Sequence, residues 1–599
     1  VSGVLMSLKD ALGTTTFGSF DWNGRPALVT YPNGTTTTVT YDWAGRVLTS
    51  TTQGVTTTNT YYKNGLLKTT TTPGTTEKTT FVYDDARRLL SASDAVGNQI
   101  QYSYDKLGRQ TVVNTRDASG VLARTMTTTY ANAGRTTSQS SGTLPGLIST
   151  KLNENFESIE VKDALLKAVS TTRDALGRVK ASKFVSSGLD YTAQFDVGGL
   201  VKSSNYSVSA LPSRGQPFYY VKDATGYVGQ VGDWDTGIDT FSPDAAGNVA
   251  QTTNSYGANR VNATHDALGR VTQEKIYHPT SGALLGTLNY QYDVNPDSSV
   301  PAPTGQLTGI SGSFGTVQYF YDSKGNIKKK TQSRSSGASK SDLYVYDGAG
   351  RLTTMTYPSG REVKMTLDGV GRPSVITTRA NAAAAWNTVA DLIQYPPFGD
   401  VGDATSLRLG GSTQIAKRQF DTAGRVSAYS EGVGANLVSV VRRADGQISS
   451  LKVGATVNAS YDYDASNRLK TASGTGFVAQ TYDYEATGDL KSIKEGTVTT
   501  SGVYQNNTSK LTSWGGKAWT YTQDGLVTSD GTLALTYDAR GLVATAKKGA
   551  GTVYTYTYDA LGKRMSKAPA GGSTTDYHYD ISGRLIAESN PATGVTLRE

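Results

Sequence analysis

Two short segments contain the carboxylates that hydrolysis or cation binding would need. The triplet Asp-Thr-Gly at 235–237 matches the active-site loop of aspartic proteases, but that chemistry needs two carboxylates that share a proton, and the triplet occurs once. The stretch Asp-Val-Asn-Pro-Asp at 293–297 begins like a calcium-binding loop, yet Ser298 and Thr304 stand where the EF-hand pattern requires Gly and Glu. We interpret the first segment as a turn and the second as a surface insertion.

The other residues that could catalyse a reaction or bind a metal are two aspartates and three histidines. Asp400 and Asp403 lie in a Gly/Asp-rich turn, which explains them without a cation. His265, His278 and His578 are too far apart in sequence for a local metal-binding pair. The chain has no Cys, which excludes disulfide frameworks, Cys-ligated zinc and thiol nucleophiles. We therefore expect no catalytic residue, no metal site and no cofactor. The sequence identifies no ligand-binding residues and leaves open a carboxylate pair for glycoside hydrolysis, whose separation is a three-dimensional quantity.

Composition narrows the class of protein further. At roughly 150 residues per domain, 599 residues would suggest about four domains. Charged residues make up only 18%, and the net charge of +8 includes one isolated basic run at 328–330, so we expect no nucleic-acid partner. No stretch of about 18 apolar residues occurs, so we expect no membrane span. The start at Val1 shows no signal-peptide pattern, and we expect the chain to be a piece of a longer protein.

The elements that position all these residues form an internal repeat. Asp21 and Asp42 are 21 residues apart, and the same step recurs from Asp538 to Asp559 and Asp580. Eighteen sites fit Asp-x-x-Gly, and nine of them continue with Arg. A weaker turn falls near each half-period, and the segments between turns are rich in Thr, Val and Tyr. Such spacing is typical of short antiparallel strands, so one 21-residue unit is one hairpin.

The repeated turn has a structural role for each of its residues. Asp suits the first position of a type I turn, and Gly three residues later supplies the left-handed conformation of a G1 bulge. We expect the Tyr before the Asp and the Arg after the Gly to lie near each other across the base of the hairpin, with the guanidinium stacked on the ring and paired with the Asp. The predicted motif residues are Tyr41, Asp42, Gly45, Arg46, Tyr104, Asp105, Gly108, Arg109, Asp174, Gly177, Arg178, Asp266, Gly269, Arg270, Tyr346, Asp347, Gly350, Arg351, Asp421, Gly424, Arg425, Tyr558, Asp559, Gly562, Tyr579, Asp580, Gly583 and Arg584.

The number of strands implies a hollow object. About 57 strands at about 4.8 Å make a ribbon near 270 Å long, which forms either one ring about 90 Å across or two turns about 45 Å wide and 50 Å high. Both are much wider than the roughly eight-strand barrel that side chains can fill. The fold class predicted is therefore all-β, a long antiparallel sheet of hairpin repeats wound into a spiral hollow shell.

The Tyr-Asp-x-x-Gly-Arg repeats at this spacing resemble the YD-repeat, or Rhs, family. Its members include bacterial Rhs polymorphic toxins, the C component of insecticidal toxin complexes, and teneurins. The resemblance covers nearly the whole chain and is most typical at 558–563 and 577–588, and the Tyr-Pro-Pro-Phe-Gly-Asp segment at 395–400 resembles a further family element. The resemblance implies a spiral β-sheet cocoon, which in the toxin branches encloses a C-terminal toxin domain.

The chain departs from the toxin pattern at its end. In Rhs toxins the repeats lead into a core, rich in Asp-Pro-x-Gly elements, that cleaves itself before the toxin. This chain reaches residue 599 where that core would begin, and it contains no Asp-Pro dipeptide. The resemblance therefore implies a non-enzymatic shell whose cargo, the protein's own C-terminal toxin domain, lies beyond this chain.

A second hypothesis stays open beside the toxin shell. It is a cell-surface or secreted YD-repeat protein that binds carbohydrate or another cell. The partners expected are the cargo domain, with a component of a secretion apparatus or a cell-surface glycan as the further alternatives. In either case we expect a bacterial protein that is secreted, displayed at the cell surface or delivered by a secretion system.

Three segments interrupt the repeat. Within them we predict a short helix at 153–167 and helical character at 382–393. The predicted organisation is YD-repeat shell at 1–140, 171–274, 319–377 and 416–599, the last truncated before the Rhs core, with an irregular insertion at 141–170, a Pro-rich insertion at 275–318 and an Ala-rich insertion with the 395–400 loop at 378–415.

Overall fold

The computed structural model describes most of the chain as β-strands. The described residues are 4–10, 13–32, 34–141, 144–184, 189–195, 201–208, 218–222, 226–233, 237–254, 260–277, 282–297, 305–334, 339–399, 403–410, 415–430, 436–485, 487–505, 508–522, 524–538 and 540–599. They contain fifty-five strands and one short 3-10 helix, Asn132–Gly134. The strands are β1 Ser7–Asp10, β2 Gly13–Phe20, β3 Pro26–Thr30, β4 Thr36–Tyr41, β5 Val47–Thr52, β6 Val55–Tyr61, β7 Leu67–Thr71, β8 Lys78–Tyr83, β9 Leu89–Ser93, β10 Gln99–Tyr104, β11 Gln110–Arg116, β12 Leu122–Ala131, β13 Thr136–Ser141, β14 Leu144–Leu152, β15 Ser158–Asp163, β16 Ala168–Arg173, β17 Val179–Phe184, β18 Leu189–Phe195, β19 Val201–Val208, β20 Phe218–Lys222, β21 Val228–Asp233, β22 Gly237–Pro243, β23 Val249–Asn254, β24 Arg260–His265, β25 Val271–Tyr277, β26 Leu284–Tyr292, β27 Leu307–Gly312, β28 Gly315–Tyr321, β29 Ile327–Arg334, β30 Lys340–Tyr346, β31 Leu352–Thr356, β32 Glu362–Leu367, β33 Pro373–Arg379, β34 Asn387–Gln394, β35 Ser406–Leu409, β36 Ile415–Phe420, β37 Val426–Ser430, β38 Val438–Arg442, β39 Ile448–Val453, β40 Thr456–Tyr463, β41 Leu469–Gly474, β42 Phe477–Tyr484, β43 Leu490–Glu495, β44 Val498–Tyr504, β45 Leu511–Trp514, β46 Lys517–Ala518, β47 Thr520–Tyr521, β48 Val527–Ser529, β49 Leu533–Tyr537, β50 Val543–Lys548, β51 Val553–Tyr558, β52 Arg564–Pro569, β53 Thr575–Tyr579, β54 Leu585–Ser589 and β55 Thr596–Arg598.

Within each of two sheets, every strand pairs antiparallel with its neighbours in sequence. A 46-stranded sheet contains β1–β46, and a nine-stranded sheet, here called the terminal sheet, contains β47–β55. Two strands form from each 21-residue unit, as the period predicts. Cross-strand Thr pairs support the ladder: the Oγ1 atoms of Thr40 and Thr49 are 2.6 Å apart, and those of Thr536 and Thr545 are also 2.6 Å apart. The all-β antiparallel prediction is confirmed.

The sheet continues through the three segments that interrupt the repeat. The helix expected at 153–167 is wrong: β14 and β15 pair from Ile148–Asp163 to Leu152–Ser158, around a turn at 153–157. The helical character expected at 382–393 is also wrong, because β34 pairs with both β33 and β35. The preference of Ala and Leu for helices amounts to less than about 1 kcal/mol per residue, and the hydrogen bonds of the neighbouring strands outweigh it.

Residues far apart in sequence meet where the sheet passes itself. Gln53 Nε2 donates to the carbonyl of Ser323 over 2.6 Å, and Lys167 Nζ donates to the carbonyl of Asp464 over 3.4 Å. Such contacts join residues 36–184 to residues 315–495 at separations of 270 to 304 residues. These two ranges lie in successive turns of the sheet and are here called the first turn and the second turn. Contacts of the second turn with the terminal sheet span only 237 to 254 residues. The strands therefore follow a spiral.

The most deeply buried apolar side chains lie where the terminal sheet packs against residues 276–317. Ile310 and Val317 are 2% and 1% exposed, and they belong to a cluster that also contains Met565 of β52. The other buried members of this cluster are Ile276, Leu288 and Phe314. Strands elsewhere in the sheet are mostly half-buried, as expected for a sheet with one face open to solvent.

Candidate functional site

The repeated turn is the best-defined side-chain arrangement in the chain. In the turn of Asp42, the Gly45 amide donates to the Asp42 carbonyl over 3.0 Å, and the Asp42 amide donates to the Arg46 carbonyl over 2.9 Å. Gly45 has φ of 89°, where a Cβ would be strained, and the register shifts between Thr40 and Tyr41. This geometry is a type I turn closed by a G1 bulge.

The Asp carboxylate joins the two ends of the turn. Asp42 Oδ1 accepts the Arg46 amide over 2.9 Å, and Asp42 Oδ2 accepts Arg46 Nε over 2.6 Å. The hydrogen bond from the Arg46 side chain lowers the pKa of Asp42, so the carboxylate stays charged. The same Nε–Oδ2 bond, 2.6–3.0 Å long, joins Asp105 to Arg109, Asp174 to Arg178, Asp266 to Arg270, Asp347 to Arg351 and Asp421 to Arg425.

Where an aromatic ring stacks on the Arg of a turn motif, the ring belongs to the following hairpin, so the expected stacking within one hairpin is wrong. Arg46 Cζ lies 4.6 Å from the centroid of Tyr61, while Tyr41 contacts Arg25 of the preceding unit. The stack therefore joins neighbouring hairpins. Equivalent stacks, at 4.4–4.7 Å, are Arg88 on Tyr104, Arg109 on Tyr130, Arg178 on Phe195, Arg270 on Tyr292, Arg372 on Tyr395 and Arg468 on Tyr484.

The hydroxyl of the same Tyr fills a gap between strands. Strands β5 and β6 pair from Thr49–Thr58 to Thr52–Val55 and then separate toward the Asp turn. There the Tyr61 hydroxyl donates to the Val47 carbonyl over 2.9 Å, in place of a ladder bond. The same substitution occurs from Tyr41 to Pro26, Tyr104 to Leu89, Tyr346 to Ile327, Tyr463 to Ile448, Tyr558 to Val543 and Tyr579 to Arg564. Each Arg–Tyr pair is thus a wedge that holds adjacent hairpins apart at one edge of the sheet.

Two repeats vary the residues of the motif and keep the bond from the amide after the Gly to the Asp carboxylate. Asn248 replaces the Arg and His265 the Tyr: Asn248 Nδ2 donates to Asp244 Oδ2 over 3.2 Å, and His265 Nδ1 lies 3.5 Å from the same oxygen. Asp559 accepts the amide of Lys563 over 2.8 Å. The last predicted motif, at Asp580, accepts the amide of Arg584 over 2.8 Å. The Gly that closes each of the other predicted turns also has a positive φ. These residues are Gly108, Gly177, Gly269, Gly350, Gly424, Gly562 and Gly583.

The segment that resembles a calcium loop is occupied by protein partners. Asp293 pairs with Arg270 at 2.7 Å, Asp297 pairs with Lys328 at 2.8 Å, and Asn295 Nδ2 donates to the carbonyl of Tyr321 over 3.2 Å. In the part of the chain that the structure describes, no three His, Cys, Asp or Glu side chains form a metal-binding group. The other singled-out residues Asp235, Thr236, His278, Ser298, Thr304 and Asp400 lie outside the described residues.

A buried polar cluster joins the second turn to the terminal sheet. On β29, Lys330 Nζ donates to the Tyr579 carbonyl over 2.6 Å and Gln332 Nε2 donates to the Tyr577 carbonyl over 2.5 Å. Arg334 pairs with Asp576 at 3.1 Å. These three residues of β29, here called the docking strip, alternate along one face of the strand. Lys330 belongs to the basic run at 328–330 and is only 5% exposed.

Burial governs ionisation in this cluster. Desolvation lowers the pKa of Lys330 and raises the pKa of Asp342 to about 6. It also lowers the pKa of His578 to about 4, with a further contribution from Lys340 and then Lys330. His578 contacts Ser589 Oγ through Nε2 at 2.8 Å. The sequence pattern did not reveal this site, because it forms between strands about 250 residues apart.

The comparisons with known proteins agree with this fold and these turns, which define a β-shell built from YD repeats. The family description Teneurin YD-shell matches residues 2–296 and 403–589, and the RHS Repeat description matches residues 346–383. Because the first match covers well over half of the chain, the chain belongs to the Teneurin YD-shell family. No curated protein matches it in sequence.

Solved toxin-complex structures share the fold. The Tc holotoxin pore of Photorhabdus luminescens matches with a TM-score of 0.67 and 13% identity, over 99% of this chain and 39% of that chain. The TcdB2-TccC3 structure matches with a TM-score of 0.55 and 14% identity, over 99% of this chain and 38% of that chain. The chain therefore spans about two fifths of the length of these structures, and at such identities the likeness shows the fold alone. Among the described residues, no helix is long and apolar enough to cross a membrane.

Proposed function

We propose that this chain is the wall of a shell that encloses a toxin domain belonging to the same full-length protein. The observation that carries the proposal is the stacking of the first turn against the second. Arg351 Nη1 lies 3.0 Å from both carboxylate oxygens of Glu77, and the Thr125 amide donates to the Thr422 carbonyl over 3.0 Å. A sheet whose turns bond to each other makes a continuous wall.

The residue separation between turns sets the size of the space. With roughly 11 residues per strand, a separation of 270 residues corresponds to about 25 strands and a circumference near 120 Å, or a diameter of about 40 Å. The inner width, after side chains, is then about 30 Å. A folded domain of about 100 residues has a radius of gyration of about 13 Å and is about as wide as this space. The proposed cargo is therefore one small domain or a larger unfolded chain.

In this proposal the chain itself catalyses nothing. The aspartates of the predicted motifs are engaged in turns, and the Arg and Tyr side chains join hairpins. The protein is proposed to be secreted or delivered by a secretion system, as a toxin shell must reach its target.

Limited proteolysis of the full-length protein tests the proposal. A C-terminal fragment that resists protease and co-purifies with the shell supports encapsulation. The matched control is the same fragment expressed alone, which must be digested at the same protease concentration. A fragment that is cut equally fast in both preparations would contradict the proposal.

A second candidate function, binding of carbohydrate or of another cell, is favoured by one observation. Trp22 and Trp43 occupy the second position of successive repeat turns and are 79% and 82% exposed. Contiguous exposed apolar surface marks interaction sites, and two exposed Trp side chains on successive turns are candidates for such a surface. Glycan-array binding that survives removal of the cargo and is lost in Trp22→Ala/Trp43→Ala would support this alternative. Binding that is unchanged in the double variant would exclude these rings.

A further inference from the structure

The terminal sheet is joined to the rest of the sheet by little pairing. Strands β46 and β47 are consecutive segments of one extended stretch and are separated only by Trp519, whose amide donates to the Thr512 carbonyl of β45 over 2.9 Å. Among the described residues, no other strand ladder joins the two sheets. Strands β47 and β48 pair at two positions, and β48 pairs with β49 only at Ser529–Ala534. By contrast, β49 and β50 pair at five positions. The link between the two sheets is therefore narrow at residues 518–520, and the well-paired part of the terminal sheet begins at Leu533.

The docking strip holds the terminal sheet mainly through its backbone. Strands β52 and β53 pair at Ser566–Asp576 and Lys567–Thr575 and then separate. Lys330 and Gln332 donate to carbonyls of β53 beyond this point. A third donor, Lys340 Nζ, reaches the carbonyl of Gly594 over 2.8 Å.

The buried polar groups of this contact favour docking of the terminal sheet in one fixed position, and they also allow the docking to be reversible. Buried charged groups pay a large desolvation cost, so they contribute less net stability than an apolar contact of the same size, while they penalise any other register strongly. The apolar part of the contact includes Met565, which is 3% exposed. Hydrogen bonds inside β49–β55 remain intact when the contact with β29 opens, because they run between strands of the terminal sheet.

We propose that the terminal sheet is a gate, which swings as one body about residues 518–520 and is held closed by Lys330, Gln332 and Arg334 of β29. The gate rests on the proposed function in one respect, namely that cargo leaves the shell where the terminal sheet undocks. The opening itself is a property of this chain and is measurable without cargo.

A cross-link across the contact tests the gate, and the absence of Cys makes the test specific. Arg334→Cys and Asp576→Cys, bridged by a short bismaleimide, replace an ion pair that joins β29 to β53. The matched control is Arg379→Cys with Glu362→Cys, which replaces an ion pair of 2.6 Å within the second turn. Hydrogen exchange of residues 533–598 is then followed in both, with and without the cross-linker.

The gate predicts that residues 533–598 exchange together and faster than β4–β9, and that the first cross-link slows this exchange at least tenfold while the control cross-link leaves it unchanged. Gln332→Ala, the mildest change in the strip, is expected to speed exchange of 533–598 several-fold and to leave β4–β9 unaffected. Exchange of 533–598 only together with the whole sheet, or exchange unaffected by the first cross-link, would overturn the gate.

A cargo measurement separates this proposal from the function on which it rests. In the full-length protein, the first cross-link is expected to prevent release of the protected C-terminal fragment, and cleavage of the linker is expected to restore it. If the cross-link slows exchange but the fragment was never protected, the gate stands and encapsulation fails. If the fragment is protected and escapes despite the cross-link, encapsulation stands and the gate fails.

Discussion

The contact between the first and second turns can be tested at Gly348, which follows Asp347 in a repeat turn. A Cβ at this position would lie 2.6 Å from the carbonyl oxygen of Gly74, well inside ordinary contact distance. The backbone of Gly348 is not in the left-handed region, so Gly348→Val strains the contact and not the turn. Overpacking of this kind costs about 1–3 kcal/mol. We expect the variant to lose that free energy of unfolding and to weaken the nearby Arg351–Glu77 pair.

The assay combines chemical denaturation with hydrogen exchange at 72–77 and 347–351. The matched control is Ala175→Val, which changes the same position of the Asp174 turn where the residue is exposed. Because the free turn has room for the larger side chain, we expect a change within about 0.5 kcal/mol there. Equal unfolding free energies for Gly348→Val and the original protein, with unchanged exchange at both segments, would refute close packing between the turns.

Three further predictions concern single side chains. Arg372→Ala removes the pairing with Asp368 and the stack on Tyr395, and it should lower the free energy of unfolding by roughly 1–3 kcal/mol. Arg584→Ala, with no stacked ring among the described residues, should lower it by less than about 0.5 kcal/mol. Equal losses in the two variants would contradict the role of the Arg–Tyr wedge. Tyr346→Phe removes the hydroxyl that bonds Ile327 and should cost about 0.5–1.5 kcal/mol, and an unchanged stability would show that this bond contributes nothing. Because the pKa of His578 is lowered from 6.5 to about 4, the folded state resists protonation of this side chain, and stability is lost as pH falls from about 6.5 toward 4. Relative to His578→Gln, the protein should lose up to about 3 kcal/mol of unfolding free energy over that range. Parallel pH profiles of the two proteins would contradict the burial of His578.

The parts of the fold that could be predicted from the sequence are those set by neighbouring residues. Asp42 and Gly45 determine their turn within four residues, and the 21-residue step then determines two strands per unit. The stacking partner of Arg46 was misplaced, because the choice between Tyr41 and Tyr61 depends on how β5 and β6 separate, which no local pattern encodes.

The errors at 153–167 and 382–393 have a related cause. Both segments have residues that form helices readily, but each lies between strands whose free hydrogen-bonding edges it completes. The burial of Lys330 could not be predicted either, because a run of basic residues normally faces solvent, and only the position of strand β53 shows that this one is covered. Contacts between residues about 250 positions apart depend on the circumference of the spiral, and the sequence of a single repeat does not determine that circumference.

The enclosed space is tested most directly by an electron cryomicroscopy map of the full-length protein at a resolution that separates strands. The spiral shell predicts a wall of stacked sheet with about 25 strands per circuit, Ser323 beside Gln53, and density of the C-terminal domain inside a space about 30 Å wide. A solid core without internal space, or a C-terminal domain outside the wall, would contradict it.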